Sequence, residues 1–299
     1  MSHSIKYSFL VTLLILFCSF SKDIFSQNKR ALLIGISDYG HANSGWQNIH
    51  GANDADLLCT TLKSKGFSIV KICNKNATAK RIRNEFTSLI SKCKSGDYIY
   101  LHFSGHGQPF EDFNGDEDDG WDESIIPYDA MMNYQKGRYE GSSHITDDEL
   151  SSIIRKLRIK VGSKGFVFVV IDACHAGGSS RGDEEELTEE EMFCRGTKIG
   201  FSPHGKVYRP RVNRNGHFII QSENGLSNVI IIEACRSYQS NFEIKENGNY
   251  YGPLSFYLNK VLQSINISVS NEIPLRVKNM MDADRRLVRQ NMVYESSIK

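Results

Sequence analysis

An uninterrupted apolar run, FVFVVID, occupies residues 166–172 and limits the class of fold that this chain can adopt. A strand with one face in water alternates apolar and polar residues, whereas a strand covered on both faces is apolar throughout. The run therefore predicts a central strand with helices packed on both faces of its sheet.

Other short runs rich in β-branched and aromatic residues alternate with segments of helical periodicity, which is typical of βαβ units. The further predicted strands are Arg30–Ser37, Ser68–Cys73, Tyr98–Ser104 and Val229–Ala234. The predicted helices are Asn53–Lys65, Ala79–Cys93, Asp147–Lys160, Pro253–Leu262 and Pro274–Arg289. We expect an α/β domain with a mostly parallel sheet of about six strands.

The first 27 residues predict export. Lys6 precedes an apolar run from Phe9 to Phe17, and small and polar residues follow, as in a secretory signal peptide. A membrane anchor is the alternative, but a spanning helix needs roughly 20 apolar residues. A lipid-modified Cys18 is a weaker alternative, because the bulky Phe17 precedes it. We expect removal of residues 1–27 and a periplasmic or secreted protein that is free of the membrane.

Charge and cysteine content restrict the partners. The formal net charge of +1 gives no global field that would gather nucleic acid, so no nucleic-acid partner is expected. The cysteines after residue 27 show no CxxC or Cys/His metal spacing. Four lie among apolar residues and are expected to be buried thiols in a monomeric protein: Cys59, Cys73, Cys93 and Cys235.

Two predicted strands end in reactive residues. SGHG at residues 104–107 and DACHAGG at residues 172–178 follow the strands, and sites of parallel sheets form outside such carboxyl ends. A cysteine and a histidine together supply a nucleophile and a proton donor for the departing amine. Glycines beside them leave backbone N–H groups free to face an oxyanion. A lone cysteine or histidine would be weak evidence, because free cysteines are commonly core residues.

Seven segments in order resemble the metacaspases and their bacterial relatives in the caspase-like superfamily of cysteine peptidases: RALLIGISDY, GANDADLL, LHFSGHG, DGWDESIIPYD, ITDDEL, VVIDACHAG and VIIIEACRS. The resemblance covers nearly all of the chain after residue 27. It implies a caspase-type three-layer sandwich over residues 28–299 that hydrolyses peptide bonds. Residues 28–178 correspond to a large subunit, 179–227 to a charged connector and 228–299 to a small subunit.

The resemblance also implies catalytic roles. His106 matches the catalytic histidine and Cys174 the nucleophile, and the N–H groups of Gly107 and Cys174 would form the oxyanion hole. His175 is an alternative base, although neighbouring side chains that leave a strand point apart. His102 lies within a strand, where a structural role is expected.

Three further residues match the metacaspase pocket for a basic side chain, namely Asp54, Ser104 and Asp172. True caspases cut after aspartate and usually carry arginine after the nucleophile, whereas His175 stands here. Two carboxylates favour Arg or Lys before the cut. We therefore expect protein or peptide substrates with Arg or Lys at that position. Asp54 also falls where it would stabilise a helix N-terminus.

Many metacaspases need calcium, and the matching ligand positions are Asp122, Asp147 and Asp148. Asp183 is the nearest fourth ligand, two residues beyond the expected place, and no organic cofactor is expected. The acidic loop at residues 111–123 also partly follows the EF-hand spacing, although Glu117 stands where that loop requires glycine. The positions on that spacing are Asp112, Asn114, Asp116, Asp118 and Glu123. A solvated acidic loop is the alternative.

Residues 178–225 lose all periodicity, and an acidic stretch is followed by a basic one. Such a segment predicts an exposed, mobile connector. The predicted acidic pocket would accept its cationic residues, so self-processing is a hypothesis and a flexible insertion the alternative. The candidates for cutting are Arg181, Arg195, Lys198, Lys206, Arg209, Arg211 and Arg214.

A non-catalytic caspase-like binding or regulatory domain and a calcium-dependent binding protein are the alternative functions.

Overall fold

The computed structural model describes residues 27–40, 44–175, 193–265, 267 and 270–298. The predicted signal peptide lies outside these residues except for its last residue, and so do Asp183, Arg181 and the first part of the predicted connector. Among the described helices, none combines the length and the apolar character that crossing a membrane requires.

A seven-stranded sheet in the order β2-β1-β3-β7-β9-β12-β8 forms the centre of the domain. The strands are β1 (Lys29–Gly35), β2 (Phe67–Cys73), β3 (Tyr98–Ser104), β4 (Gly107–Glu111), β5 (Trp121–Ile125), β6 (Ile145–Thr146), β7 (Phe166–Asp172), β8 (His217–Ile219), β9 (Asn228–Glu233), β10 (Ile244–Glu246), β11 (Asn249–Tyr251) and β12 (Val293–Ser296). Strands β2, β1, β3, β7 and β9 are parallel, and β12 is antiparallel to β9. The predicted, mostly parallel sheet is confirmed.

Helices cover both faces of the sheet. They are α1 (Gly51–Ser64), α2 (Ala79–Lys92), α3 (Asp147–Val161), α4 (Pro253–Ser264) and α5 (Glu272–Ala283). One core lies under α2 and α3 and the other under α1, α4 and α5. Alternate residues of β7 enter opposite cores, Val169 on one side and Phe168 on the other. Burial of every β7 side chain explains its uninterrupted apolar sequence.

Two predicted elements differ from the structure at their ends. The last helix ends at Ala283 rather than at Arg289, because Asp284 accepts a hydrogen bond from the Arg286 N–H and starts a separate short turn. The predicted connector contributes β8, a three-residue edge strand that is too short to show periodicity. The polar segment after β3 forms a small antiparallel sheet of β4, β5 and β6.

All six cysteines of the described part are free thiols. Cys59, Cys93 and Cys235 are buried as expected, and Cys73 is partly buried. The buried-thiol prediction therefore holds for three of the four residues and in part for Cys73.

Candidate active site

The carboxyl ends of β3 and β7 lie side by side, because the strands pair in a parallel register that places Ser104 opposite Asp172. Helix α1 begins at the same edge, where Ser104 Oγ donates a hydrogen bond of 2.6 Å to Asp54 Oδ2. This edge of the sheet gathers six residues predicted for the site: Asp54, Ser104, His106, Gly107, Asp172 and Cys174.

Two backbone N–H groups converge on one oxygen atom. Gly107 and Cys174 each donate to the carbonyl oxygen of Arg195, with N···O distances of 3.0 Å. Paired donors of this kind stabilise the negative oxygen that forms when a nucleophile adds to a carbonyl. The two donors predicted for the oxyanion hole thus hold a peptide carbonyl of the chain itself.

The imidazole of His106 packs against two aromatic rings. Its centroid lies 4.8 Å from that of Trp46 and 4.7 Å from that of Tyr39. Its Nε2 lies 2.8 Å from the carbonyl oxygen of Gln47, which can only accept, so Nε2 carries the ring proton. Burial lowers the pKa of His106 to about 4, although the bond to Gln47 opposes this. The neutral ring therefore leaves Nδ1 able to accept a proton.

Three carboxylates surround one buried guanidinium. Arg195 Nη1 lies 2.7 Å from Asp54 Oδ2 and 3.5 Å from Asp172 Oδ1, and Nη2 lies 2.8 Å from Glu243 Oε1. Nη1 also donates to Ser104 Oγ at 2.5 Å. All four charged side chains are 0% exposed. We call Asp54, Ser104, Asp172 and Glu243 the carboxylate pocket.

Surrounding groups fix the orientation of these carboxylates. Asp172 Oδ2 accepts from the N–H and the hydroxyl of Ser255, at 2.8 and 2.7 Å, and its Oδ1 accepts from Asn241 Nδ2 at 2.8 Å. The Gly252 N–H donates to Asp54 Oδ1 at 3.1 Å. A Cβ at position 252 would overlap both Asp172 and the guanidinium, so glycine leaves the room that the cation occupies.

Residues 193–195 lie against residues 241–243 as an antiparallel pair of extended segments. The Arg195 N–H donates to the Asn241 carbonyl at 2.9 Å, and the Glu243 N–H donates to the Phe193 carbonyl at 3.0 Å. An extended peptide that adds to a sheet edge is held in this way.

The prediction of an exposed connector is wrong for this part of the chain. Arg195 is fully buried, and Phe201 is only 1% exposed. The carboxylate pocket and the backbone pairing order a segment whose charged, aperiodic sequence gives no sign of distant partners.

Sequence reasoning also missed two contributors to the site. Glu243 belongs to no recognisable motif, although it supplies the third carboxylate. Gln47 acts through its backbone carbonyl, for which a sequence offers no signal.

The two other histidines near the site differ in their contacts. His102 Nε2 lies 2.9 Å from Ser255 Oγ, a neighbour of Asp172, which supports the expected structural role. His175, the alternative base, is adjacent to Gly107, and its Nε2 is buried without a hydrogen-bond partner among the described residues. Burial lowers the pKa of His175 to about 4.

The chain matches a known protein family. The family model of the Caspase domain, a peptidase family, matches residues 28–296. The chain belongs to the caspase domain family. The match covers nearly all of the described residues and includes both strand ends that carry the site.

Similar proteins include several metacaspases. This caspase domain is 25% identical over 290 residues to Metacaspase-1 of Mycosarcoma maydis, covering 86% of this chain and 66% of that protein. It is 34% identical over 161 residues to Metacaspase-1B of Aspergillus fumigatus, covering 50% and 35% of the two chains. Metacaspase-2 of Arabidopsis thaliana is 32% identical over 184 residues, covering 58% and 38%. The chain thus spans between about a third and two thirds of the length of these relatives.

A solved structure has a similar fold. A crystal structure of a protein from Geobacter sulfurreducens superposes on this chain with a TM-score of 0.60, and the superposition covers 91% of this chain and 94% of the other. Its sequence is 16% identical to this caspase domain, so the likeness concerns the fold alone.

Of the predicted calcium ligands, only Asp122 belongs to a group of described carboxylates with the spacing of a metal site. Carboxylate oxygens of Asp112, Asp116 and Asp122 lie within 4.8 Å of one another. Asp148 contacts the loop that carries Asp112 and Asp116, since its Oδ2 accepts a hydrogen bond from Asn114 Nδ2 at 2.7 Å. Burial, together with neighbouring carboxylates, raises the pKa of Asp122 and of Asp147 to about 7. We call Asp112, Asp116, Asp122, Asp147 and Asp148 the acidic cluster.

The EF-hand spacing of the loop is not reproduced in the structure. Asp118 pairs with Arg211 at 3.1 Å instead of joining the cluster. Glu123 follows Asp122 in β5, and successive strand residues point to opposite faces. The interpretation as an EF-hand is therefore wrong, because an extended strand replaces the second half of the loop.

Binding of a cationic side chain to the carboxylate pocket should depend on pH. Burial raises the pKa of Asp54 to about 7, although the guanidinium of Arg195 opposes this. A protonated carboxyl forms no ion pair with a guanidinium, so KM for a peptide whose arginine replaces Arg195 in the pocket should rise as the pH falls toward about 7. Tenfold per pH unit is the largest slope that a single titrating group can give. His106, with a pKa of about 4, contributes no titration in this range.

Steady-state kinetics between pH 5.5 and 8 check this expectation, and the alkylation rate of Cys174 over the same range reports the thiol separately. The acid limb in KM should disappear in the Asp54→Asn protein. A KM that is flat across this range in the wild type would show that Asp54 stays ionised.

Proposed function

We propose that this caspase domain is a cysteine endopeptidase that hydrolyses peptide bonds after Arg or Lys and first cuts its own chain between Arg195 and Gly196. The observation that carries the proposal is the position of Arg195. Its side chain fills the carboxylate pocket while its carbonyl oxygen accepts from the Gly107 and Cys174 N–H groups. A substrate residue before the scissile bond needs both contacts at once.

The proposed reaction is acyl transfer to the Cys174 thiol. The Cys174 thiol, which donates to the Gln239 carbonyl oxygen at 2.9 Å in this structure, first turns toward His106. Nδ1 of His106 takes the thiol proton as sulfur attacks the carbonyl carbon, and the two N–H groups hold the resulting oxyanion. The C–N bond breaks as His106 gives that proton to the departing amine, which leaves a thioester. Water then cleaves the thioester, restoring the thiol and releasing a carboxylate. The bond from Nε2 to Gln47 keeps the imidazole oriented during both transfers.

Specificity follows from the charge of the carboxylate pocket. Three carboxylates face one guanidinium, and none of these groups reaches water. An aspartate in place of the arginine would add a fourth negative charge in a buried site, which is strongly unfavourable. Lysine retains the charge but loses the forked donor geometry of arginine. We expect Arg to be preferred over Lys, and neither to be replaceable by Asp.

Hydrolysis of matched peptides tests the proposed function. Purified protein with calcium should cleave peptides that end in Arg or Lys before a fluorogenic leaving group. Their kcat/KM should be at least 100-fold higher than that of the same peptide with Asp in place of Arg or Lys. The Cys174→Ala protein is the control for contaminating proteases. Equal cleavage of the Asp and Arg peptides would refute the specificity, and absence of any Cys174-dependent turnover would favour a non-catalytic domain.

Self-processing is supported by how the chain is held on both sides of the proposed cut. Residues 193–195 pair with residues 241–243 before it. After it, Phe201 stacks on Phe110 at 5.2 Å, and its N–H donates to the Pro109 carbonyl at 2.8 Å. Both sides of the peptide bond between Arg195 and Gly196 are thus held beside Cys174, with a bend of the backbone at Arg195.

Calcium regulation is supported by two orphaned oxygens. Oδ1 of Asp122 and Oδ1 of Asp147 are buried without a hydrogen-bond partner among the described residues. Carboxylate oxygens are the ligands that calcium prefers, so the acidic cluster fits this ion. Asp122 follows Trp121, which belongs to a buried group with Cys174, Tyr208 and Cys235. A shift of β5 on calcium binding would therefore reach the surroundings of the nucleophile.

Replacing Asp147 and Asp148 together by Asn should raise the calcium concentration for half-maximal activity at least tenfold, because two of the cluster's carboxylates are lost. Asp118→Asn is the matched control, since Asp118 lies in the loop that carries Asp112 and Asp116 but pairs with Arg211. A calcium titration of peptide hydrolysis measures the change, and iodoacetamide labelling of Cys174 reports an intact fold. Full activity of the wild type in excess chelator would remove calcium from the proposal.

A further inference from the structure

The ring of Phe193 packs against two aromatic side chains that lie together beside the carboxylate pocket. Its centroid is 4.7 Å from that of His50, edge to face, and 4.9 Å from that of Tyr250. His50 and Tyr250 stack on each other at 4.9 Å with an interplanar angle of 22°. We call His50 and Tyr250 the aromatic cleft.

The position of Phe193 follows from the backbone pairing of its segment. The hydrogen bonds of Arg195 and Phe193 flank Cys194, which lies opposite Phe242. In an extended segment, residues two apart point to the same face. Phe193 therefore occupies the aromatic cleft whenever Arg195 occupies the carboxylate pocket. A separate peptide bound in this register would place its own side chain, two residues before the basic residue, in the same cleft.

Hydrogen bonds to other parts of the domain fix both walls of the cleft. The His50 N–H donates to Glu243 Oε1 at 2.7 Å, and His50 Nδ1 lies 2.5 Å from Glu243 Oε2. The same carboxylate binds Arg195, which links the cleft to the carboxylate pocket. The Tyr250 carbonyl accepts from Asn53 Nδ2 at 3.0 Å. Walls that are ordered before binding reduce the entropic cost of seating a ring.

We infer that the aromatic cleft is a specificity subsite that selects an aromatic side chain two residues before the basic residue. The inference rests on the proposed peptidase function and names the substrate class of the same site. Edge-to-face and offset packing on two rings favours a flat apolar side chain over an aliphatic or charged one. The preferred substrates are then peptides of the form aromatic, any residue, Arg or Lys.

A pair of fluorogenic peptides tests this, acetyl-Phe-Ala-Arg and acetyl-Ala-Ala-Arg, each with a coumarin amide leaving group. The self-processed wild-type protein should show a kcat/KM about tenfold or more higher for the Phe peptide, from the apolar area that a phenyl ring buries. Tyr250→Ala should lower this ratio to about twofold or less, since one wall of the cleft is removed, and Tyr250→Phe should keep it.

Tyr251→Ala is the matched control. Its ring packs on Phe256 rather than on Phe193, and the ratio should stay at its wild-type value. Because the ratio compares two substrates of one protein, a general loss of folding or activity leaves it unchanged. Equal hydrolysis of the two peptides by the wild type would overturn the inference and leave the peptidase proposal standing. Hydrolysis of neither peptide, with Cys174 still open to alkylation, would overturn both.

Discussion

The Cys174→Ala protein should remain a single chain, whereas the wild type should divide between Arg195 and Gly196. The reason is that this bond already has its carbonyl oxygen on the Gly107 and Cys174 N–H groups and its cation in the carboxylate pocket. Counted from residue 28, the fragments should be roughly 19 and roughly 12 kDa by mean residue mass. They should coelute in gel filtration, because β7 pairs with β9 across the cut.

Substitutions of Arg195 and Gly196 test whether the chain is cut at this bond or after another basic residue. Arg195→Ala removes the cation and should slow the cut at least 100-fold, whereas Arg195→Lys should retain it. Gly196→Val should block it with Arg195 intact, since a Cβ at position 196 would overlap the Cys174 carbonyl oxygen. Intact-mass spectrometry identifies the cut. Identical fragments from the Cys174→Ala protein, or cutting only at Arg209, Arg211 or Arg214, would contradict self-processing at Arg195.

The second large effect is expected in the carboxylate pocket. Asp54→Asn should lower kcat/KM for an Arg peptide by about 100-fold or more, because removing one partner of a buried ion pair costs about 3–5 kcal/mol. Asp172→Ala should have a similar or larger effect, since it also releases Ser255 and Asn241. The loss should exceed the loss for an otherwise identical peptide with Gln before the cut, because the missing interaction is with the cation.

The same helix provides the control for Asp54. Asp56 also lies in α1, but its side chain is 63% exposed and pairs with Lys71, so Asp56→Asn should leave kcat/KM within about twofold. Cys174 alkylation at the wild-type rate would show that the Asp54→Asn site is still assembled. An Asp54→Asn protein with unchanged selectivity for Arg over Gln would show that Asp54 serves α1 rather than the substrate.

Local patterns in the sequence were sufficient for the central part of the fold. The apolar run of β7 predicts a strand with both faces buried, because every position must face a core when helices cover the sheet on both sides. Glycines and reactive residues directly after β3 and β7 predict a site there, because parallel strands end at one edge. Thr146 with Glu149 three residues on is the sequence signature of a helix N-cap, and the Thr146 hydroxyl accepts the Glu149 N–H at 3.4 Å. Export through residues 1–27 and the domain boundaries stay predictions.

Only the tertiary structure decided what fills and orients the site. His50 and Glu243 are 193 positions apart in the chain, yet they share a hydrogen bond beside Arg195. Gln47 orients His106 through a backbone carbonyl, a group that every residue carries. Periodicity and short motifs report which face of its own element a residue occupies, and they carry no information on such distant partners. The sequence could therefore name Arg195 as one of seven cleavable cations, but only the folded chain places its guanidinium among three carboxylates.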